Sequence, residues 1–421
     1  MKVLVVGGGI GGVGLAHALS QSAKVSVHIF ERDPFQSSRN QGLAIGLRQE
    51  AIDMLTGRLN IGNAAALFSK EGARNLCLIG AKTSDPLLKI RGALSAKIHG
   101  QTVSSLVDRA VLRNAMISSL PAHVPVHYGK QFNSYEESAT DGVTVRFADG
   151  TSERGDVLIG ADGARSRVRA QRCPALIPNQ MPIWTDGGTL AVDNHLLSRL
   201  SDNFLLRESR TALVRKSGAR GASWLSFVHA SANGPRLLWS VSLPDAVAHE
   251  YGLGQAALEP PAMRSRTERL ARELLCAEAG SIVALTCDAG MFPGYGFTSV
   301  DPATVRANPL AASTRSRVTL LGDAAHKTTT QAGLGATAAL ADAVELAKVL
   351  SDADSADPAV ALRAYESSMA RRASKAVALS VGNTARIHET RAARIAFASV
   401  MMRAVNSVLR AVDRVLHVRD D

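Results

Sequence analysis

The 421-residue sequence predicts an α/β fold, and three observations carry that expectation. A short β-branched run, Val3-Leu4-Val5-Val6, is bounded by glycines, as in a parallel strand buried on both faces. Apolar residues then recur at helical spacing at Val13, Ala16, Leu19 and Ala23, ahead of a second strand-like run, Val25 to Phe30. Two further buried-strand runs, Val157-Leu158-Ile159-Gly160 and Arg317-Val318-Thr319-Leu320-Leu321, each lead into a turn that pairs glycine with aspartate.

The first helix opens on Gly9-x-Gly11-x-x-Gly14, with Gly12 inside the motif. The second strand ends in Glu31-Arg32, with Glu31 lying 22 residues after Gly9. Strand, glycine turn, helix, strand and acid in this order make a Rossmann-like dinucleotide site. One glycine forms the tight turn, one lets the backbone approach a pyrophosphate, and one lets the helix pack closely. The pyrophosphate sits on the helix N-terminus and the Glu31 carboxylate accepts hydrogen bonds from a ribose. The pattern by itself leaves NAD and FAD both open.

Composition removes several classes of function. Hydrophobic residues make up 46% of the chain and charged residues 20%, as in an ordinary globular protein, and no window approaches the ~18 uninterrupted apolar residues of a membrane span. The net charge of +11 invites a nucleic-acid reading, but the basic residues are scattered arginines. Aromatics amount to only 4%, too few for a base-stacking surface, so no nucleic-acid partner is expected. Cys77, Cys173, Cys276 and Cys287 show neither a zinc spacing nor a disulfide framework, so no metal is expected and a cytoplasmic setting fits. Glycines in the first twenty residues argue against reading them as a secretory signal.

Further along, Val143, Val145 and Phe147 alternate as in a half-exposed strand, and Asp149-Gly150 is a hairpin turn. Asp162-Gly163, with Arg169 beyond it, follows the third buried run, and Gly322-Asp323 follows the fourth. Gly333-Leu334-Gly335 then precedes the helical stretch ATAALADAVELAKVL. With Val107-Asp108-Arg109-Ala110-Val111-Leu112, these segments resemble the single-component FAD-dependent aromatic hydroxylases, the class A, p-hydroxybenzoate hydroxylase-like flavoprotein monooxygenases. The likeness covers residues 1 to about 170 and 301 to about 385.

The resemblance implies an FAD cofactor, NADPH or NADH as reductant, and O2 as co-substrate. One oxygen atom is delivered through a flavin C4a-hydroperoxide to an aromatic or olefinic small molecule, by hydroxylation or epoxidation, in a secondary-metabolic setting. It assigns cofactor contacts to Gly9, Gly11, Gly12, Gly14, Glu31, Arg32, Arg109, Asp162, Asp323, Gly333, Leu334 and Gly335, and gives Arg169 a supporting role. Arg109 also reads as a helix-surface arginine, and Asp323 as a helix N-cap. The chain departs from the family at Thr329 and Thr330, where a proline is usual, and at Thr337, where Asn is usual. Two rival readings are an FAD-dependent oxidase or dehydrogenase without oxygen insertion, and a non-catalytic FAD-fold binding protein.

Because the motifs lie at both ends, the FAD-binding domain is expected to be discontinuous, over residues 1–75, 100–174 and 301–390. A β-sheet substrate domain, residues 76–99 and 175–300, interrupts it. In that segment Arg207, His229, Trp239, Met291, Phe292 and Tyr295 are pocket candidates, each read first as core or surface, and no catalytic acid or base stands out. Residues 391–421 read as a basic amphipathic helix, with Met401, Val405, Val408, Val412 and Val415 spaced by four and three. Docking back on the FAD domain is favoured over contact with an anionic membrane.

Overall fold

The strand Lys2–Val6 is central in a five-stranded parallel sheet, and every position after its first residue is buried, so both faces of the sheet are covered there. The computed structural model describes residues 1–36, 44–61, 67–68, 75–79, 86–90, 103–138, 141–198, 200, 212–217, 219–229, 234–253, 258–313, 315–352 and 357–417. They fall into two compact units, one of residues Met1–Phe68, Val107–Gln180 and Thr298–Gly382, the other of Ser69–Leu106, Met181–Phe297 and Asn383–Asp421.

In the first unit the sheet runs Val318–Leu320, Val157–Gly160, Lys2–Val6, Ser26–Phe30 and Val126–His127 in space. Val3 pairs with Val157 and Val27, and Leu158 with Val318, so the three strands that lead into the Gly9, Asp162 and Asp323 segments lie side by side. Parallel strands present their carboxyl ends on one edge, which is where ligands meet open α/β sheets. The helix Ile10–Leu19 packs against the helix Gly335–Ser351, and Gly14 permits this: a Cβ there would lie 3.0 Å from Leu340 Cδ2. The run containing Val143, Val145 and Phe147 is the strand Gly142–Phe147, joined to Ser152–Gly155 through a turn with Gly150 at φ +82°.

The second unit is built on a seven-stranded sheet in the order Met291–Ser299, Asn179–Ala191, Arg236–Pro244, Ser223–His229, Ala212–Ser217, Asn75–Ile79 and Pro86–Ile90. Trp224 and Trp239 sit on one face of it with their rings stacked 5.4 Å apart, both fully buried. Gly188 lies directly opposite Trp239, and a Cβ there would lie 2.6 Å from the indole ring, so the glycine makes room for it. Each indole N–H is satisfied, Trp224 by Ser226 Oγ at 2.9 Å and Trp239 by Thr286 Oγ1 at 3.0 Å. Glu259-Pro260-Pro261 marks the start of a helix, Pro260–Leu274, since proline suits a first helical turn, where no N–H partner is lost.

The C-terminal helix Ala392–His417 belongs to the second unit and contacts the strand Pro86–Ile90. Phe397, Val400, Met401, Val405 and Val408 are exposed along it. Among the described residues no helix is long and apolar enough to cross a membrane.

Trp224→Ala removes half of the stacked pair and leaves a cavity, so it is expected to cost about 3–5 kcal/mol in chemical denaturation.

Candidate functional site

The glycine turn is shaped by three separate close approaches. Gly7 has φ +114°, and a Cβ on it would lie 2.3 Å from the Ala161 carbonyl oxygen. On Gly12 a Cβ would lie 2.1 Å from the Gly7 oxygen, and on Gly11 it would lie 2.6 Å from Leu321 Cδ1. On Gly9 it would meet nothing within 4 Å. Gly9 is also the N-cap of the helix Ile10–Leu19, and no side chain caps that end. Gly7, Gly11, Gly12 and Gly14 therefore serve the fold, while Gly9 borders open space in front of unclaimed helix N–H groups.

Glu31 is buried beside this turn. Its Oε2 accepts the Gly8 N–H at 2.9 Å and its Oε1 accepts the Asp33 N–H at 3.0 Å. A carboxylate has about four acceptor sites, which leaves room for ribose hydroxyls. Arg113 holds the same spot: its Nε donates to Gly8 O at 2.6 Å, one terminal nitrogen donates to Gln36 O at 2.9 Å, and the other lies 3.5 Å from Glu31 Oε2. Sequence reasoning missed Arg113, although it lies four residues, one helical turn, beyond Arg109 on the helix Arg109–Ser118. Burial, and then Arg113, push the Arg109 guanidinium below its ordinary range, while Asp323 and Glu31 act the other way. Arg109 thus shares an electrostatic neighbourhood with both acids. Arg32 is exposed.

Asp162 caps the helix Arg167–Arg172. Its Oδ2 accepts the N–H groups of Arg167 at 2.7 Å and Val168 at 3.2 Å, and its Oδ1 accepts the Ser166 hydroxyl at 2.5 Å. Arg169, inside that helix, reaches across to the next strand's turn. It donates to Ala324 O at 3.1 Å, to Asp323 O at 3.3 Å and, on its own side, to Ala164 O at 2.8 Å. The two aspartate turns are thereby fastened together by one guanidinium.

The second turn depends on a residue that sequence reasoning missed, Asp342. Its Oδ2 accepts the Gly322 N–H at 2.9 Å and a His326 Nε2–H at 2.5 Å, and its Oδ1 accepts Arg372 at 2.7 Å. The signal was one acid on the buried stripe of an otherwise Ala- and Leu-rich helix, beside Leu340, Ala343 and Leu346. Burial opposes a charge on His326, but the Asp342 carboxylate overcomes it and holds the imidazole above its ordinary range. Burial likewise opposes the Asp342 charge, and His326 followed by Arg372 overcome it and hold the carboxyl below its ordinary range.

Asp323 itself keeps a carboxylate that is 41% exposed, with Lys327 Nζ at 4.0 Å. It opens a short helical turn, Asp323–His326, in which no side chain caps the start. Gly333 takes φ +60° and leads into the helix Gly335–Ser351, whose N-terminus also has no side-chain cap. A Cβ on Gly335 would lie 3.5 Å from Thr328 Oγ1 and 3.8 Å from Asp323 Oδ1, so Gly335, Thr328 and Asp323 converge. Thr337, in the first turn of that helix, is buried with its hydroxyl unpartnered. The first unit therefore offers the uncapped N-termini of the helices Ile10–Leu19 and Gly335–Ser351 for negative charge, and two acids, Glu31 and Asp323, for hydroxyls. That donor and acceptor set fits an extended dinucleotide.

The chain matches the FAD binding domain family over residues 1–223 and 272–380, well over half its length. The chain belongs to this family. It is 28% identical to the salicylate hydroxylase of Pseudomonas putida over 408 residues, covering 87% of this chain and 81% of that one. It is also 28% identical, over 383 residues, to a dual O-methyltransferase/FAD-dependent monooxygenase of Phaeosphaeria nodorum; the match takes 83% of this chain and spans only 40% of that longer protein. The structure of Klebsiella pneumoniae HpxO complexed with FAD and uric acid has the same fold, with a TM-score of 0.75 at 23% identity over 98% of this chain and 95% of that one. FAD is the cofactor, and the flavoprotein is a monooxygenase.

In the flavoprotein's second unit the pocket candidates divide. Trp239 and Met291 are core, and His229 is buried. Phe292 lies 3.6 Å from where a Gly187 side chain would begin, and Tyr295 is 44% exposed beside Phe297. Arg207 lies outside the described residues.

Gly9→Ala is expected to leave the melting temperature unchanged and weaken FAD binding. Gly12→Ala is expected to lower stability by roughly 1–3 kcal/mol or more, through overpacking against Gly7. Thermal melts of both variants, with and without added FAD, separate the two effects.

The buried ion pair gives a pH signature. Its contribution, read as the stability difference between wild type and Asp342→Asn, is expected to be greatest between pH 3.8 and 6.5, the ordinary values of the two groups. It should shrink in alkali as pH rises through the raised His326 value, and in acid as pH falls through the depressed Asp342 value.

Proposed function

We propose that the flavoprotein consumes NADPH or NADH and inserts one atom of O2 into an aromatic or olefinic small molecule. The overall balance is RH + O2 + NAD(P)H + H⁺ → ROH + H2O + NAD(P)⁺ for a hydroxylation, with the reductant supplying two electrons. Bound FAD supplies the electron storage and oxygen activation that side chains lack. The observation that carries this reading is the convergence of Asp323 with the uncapped N-terminus at Gly333–Gly335.

In this reading Gly9 and the N–H groups behind it hold the pyrophosphate, and Glu31, positioned by Arg113 and the Gly8 N–H, accepts the adenosine ribose hydroxyls. Arg109 adds positive charge that both Glu31 and Asp323 feel. Asp323 accepts hydroxyls of the ribityl chain, on a turn held from behind by Arg169 and Asp342. Leu334 and Gly335 would present backbone N–H groups to the pyrimidine edge of the flavin, where negative charge accumulates on reduction, while the Gly333 N–H is taken by Thr330 O at 3.2 Å and Gly333 serves the turn. Asp162 and Arg169 keep the two aspartate turns in register. An aromatic substrate is supported by the salicylate hydroxylase likeness and by the bound uric acid of the structural relative.

The test is a substrate screen with phenols and fused-ring heterocycles under ¹⁸O2, following NAD(P)H oxidation and product mass. A stimulating substrate is expected to gain one labelled atom. NAD(P)H oxidation or substrate oxidation without label in any product would instead establish an oxidase or dehydrogenase.

A further inference from the structure

The loop beyond the second aspartate turn reads Lys327-Thr328-Thr329-Thr330 and is anchored at two places. At Lys327 the backbone oxygen accepts the Val300 N–H at 3.0 Å and the Ser299 hydroxyl at 3.2 Å. At Thr329 the hydroxyl lies 2.6 Å from Ser380 Oγ, and the Ser380 hydroxyl lies 2.8 Å from Thr329 O. Each hydroxyl carries one proton: Ser380 donates to Thr329 O, and the Thr329 proton is shared between Ser380 Oγ and the Ser380 carbonyl oxygen 3.2 Å away. Both residues are buried, and Ser380 belongs to the helix Pro358–Ile387. Between the two anchors stands Thr328, the buried side chain that converges with Asp323 on Gly335.

We propose that the Thr329–Ser380 pair is a positioning clamp for the reaction: it holds Thr328 against Asp323 and Gly335 and so keeps reducing equivalents committed to the substrate. The proposal rests on the monooxygenase reading above. Without commitment the two electrons reduce oxygen alone, O2 + NAD(P)H + H⁺ → H2O2 + NAD(P)⁺, and no oxygen atom reaches the substrate. A proline stiffens a loop by fixing φ, in the unfolded chain as well as the folded one. Buried bonds from these two hydroxyls to a helix 51 residues away stiffen it only after folding, and the short Thr329–Ser380 contact exists only while both hydroxyls are present.

Thr329→Val keeps the side-chain shape and removes the hydroxyl, Ser380→Ala removes the partner, and Thr329→Ser keeps the hydroxyl. Two readouts apply: the split of oxidised NAD(P)H between oxygenated product and H2O2, and amide hydrogen exchange over residues 327–334 with and without FAD. In Thr329→Val and in Ser380→Ala the product fraction is expected to fall, and loop exchange to quicken, by roughly twofold to tenfold, the factor one buried hydrogen bond is worth. Thr329→Ser should match wild type, and the double variant should be no worse than either single one, as expected for partners in one interaction. Unchanged partition and exchange in both hydroxyl-removing variants overturn the clamp, as does a Thr329→Ser loss equal to that of Thr329→Val. Should Thr329→Val not fold, Ser380→Ala and Thr329→Ser decide by the same readouts. A wild-type protein that makes no oxygenated product overturns the monooxygenase reading instead, and the exchange data then still decide whether the pair holds the loop.

Discussion

The buried carboxylate of Asp342 is the constraint on which the cofactor end of the first unit depends. A charge taken out of water is strongly unfavourable unless donors surround it, so its three partners are fixed by the same requirement. Those partners belong to different elements: Gly322 and His326 to the aspartate turn, and Arg372 to the helix Pro358–Ile387, while Asp342 itself rides on the helix Gly335–Ser351. Meeting the demands of one carboxylate therefore places Asp323 and the Gly333–Gly335 N-terminus relative to each other. Among the described residues, neither the Asp323 carboxylate nor the start of the helix Gly335–Ser351 has a side-chain hydrogen bond holding it, which suits both to the proposed cofactor role.

Glycine does two opposite kinds of work in the first turn. At Gly7 and Gly12 the backbone itself is so close that a side chain has no room, and at Gly11 and Gly14 a neighbouring leucine occupies the space. At Gly9 the space is empty. The motif is legible in sequence because strand, turn and helix are contiguous, so spacing alone carries it. Which glycine serves packing and which serves the ligand was not legible, since that depends on Ala161, Leu321 and Leu340, residues far along the chain.

The same distinction explains what else could be read. The buried runs at Val3, Val157 and Val318 gave away the parallel sheet, because a strand covered on both faces has no alternation to hide it. Asp162 and Asp323 were visible as acids after such strands. Their treatment differs, however: Asp162 is occupied with capping its own helix, whereas Asp323 stays half exposed, and no local pattern distinguishes the two. Arg113 and Asp342 were hidden because each bonds to partners brought near only by the fold, Gly8 lying 105 residues from Arg113 and Arg372 30 from Asp342; Arg169 was visible beyond Asp162-Gly163, but its reach to Ala324, 155 residues away, was not. Trp239 shows the converse, a residue type suited to a pocket that the second sheet uses as core.

Arginines that fasten turns also account for part of the net charge of +11. Arg113 donates to Gly8 O and Gln36 O, Arg169 to Asp323 O, Ala324 O and Ala164 O, and Arg172 to Val318 O and Leu310 O. A guanidinium has five N–H donors in a planar fork, so it can fasten several loop carbonyls at once, which a lysine ammonium on a flexible stem does poorly. Carbonyls are neutral, so each guanidinium bond spent on one draws on a positive charge without calling for an acid, although Arg113 also lies 3.5 Å from Glu31 Oε2. Arg172 likewise approaches an acid, Glu366, at 3.7 Å, but its hydrogen bonds go to backbone oxygens. Positive charge of this kind is a by-product of how the turns around the cofactor are held, and it needs no anionic partner beyond the cofactor to explain it.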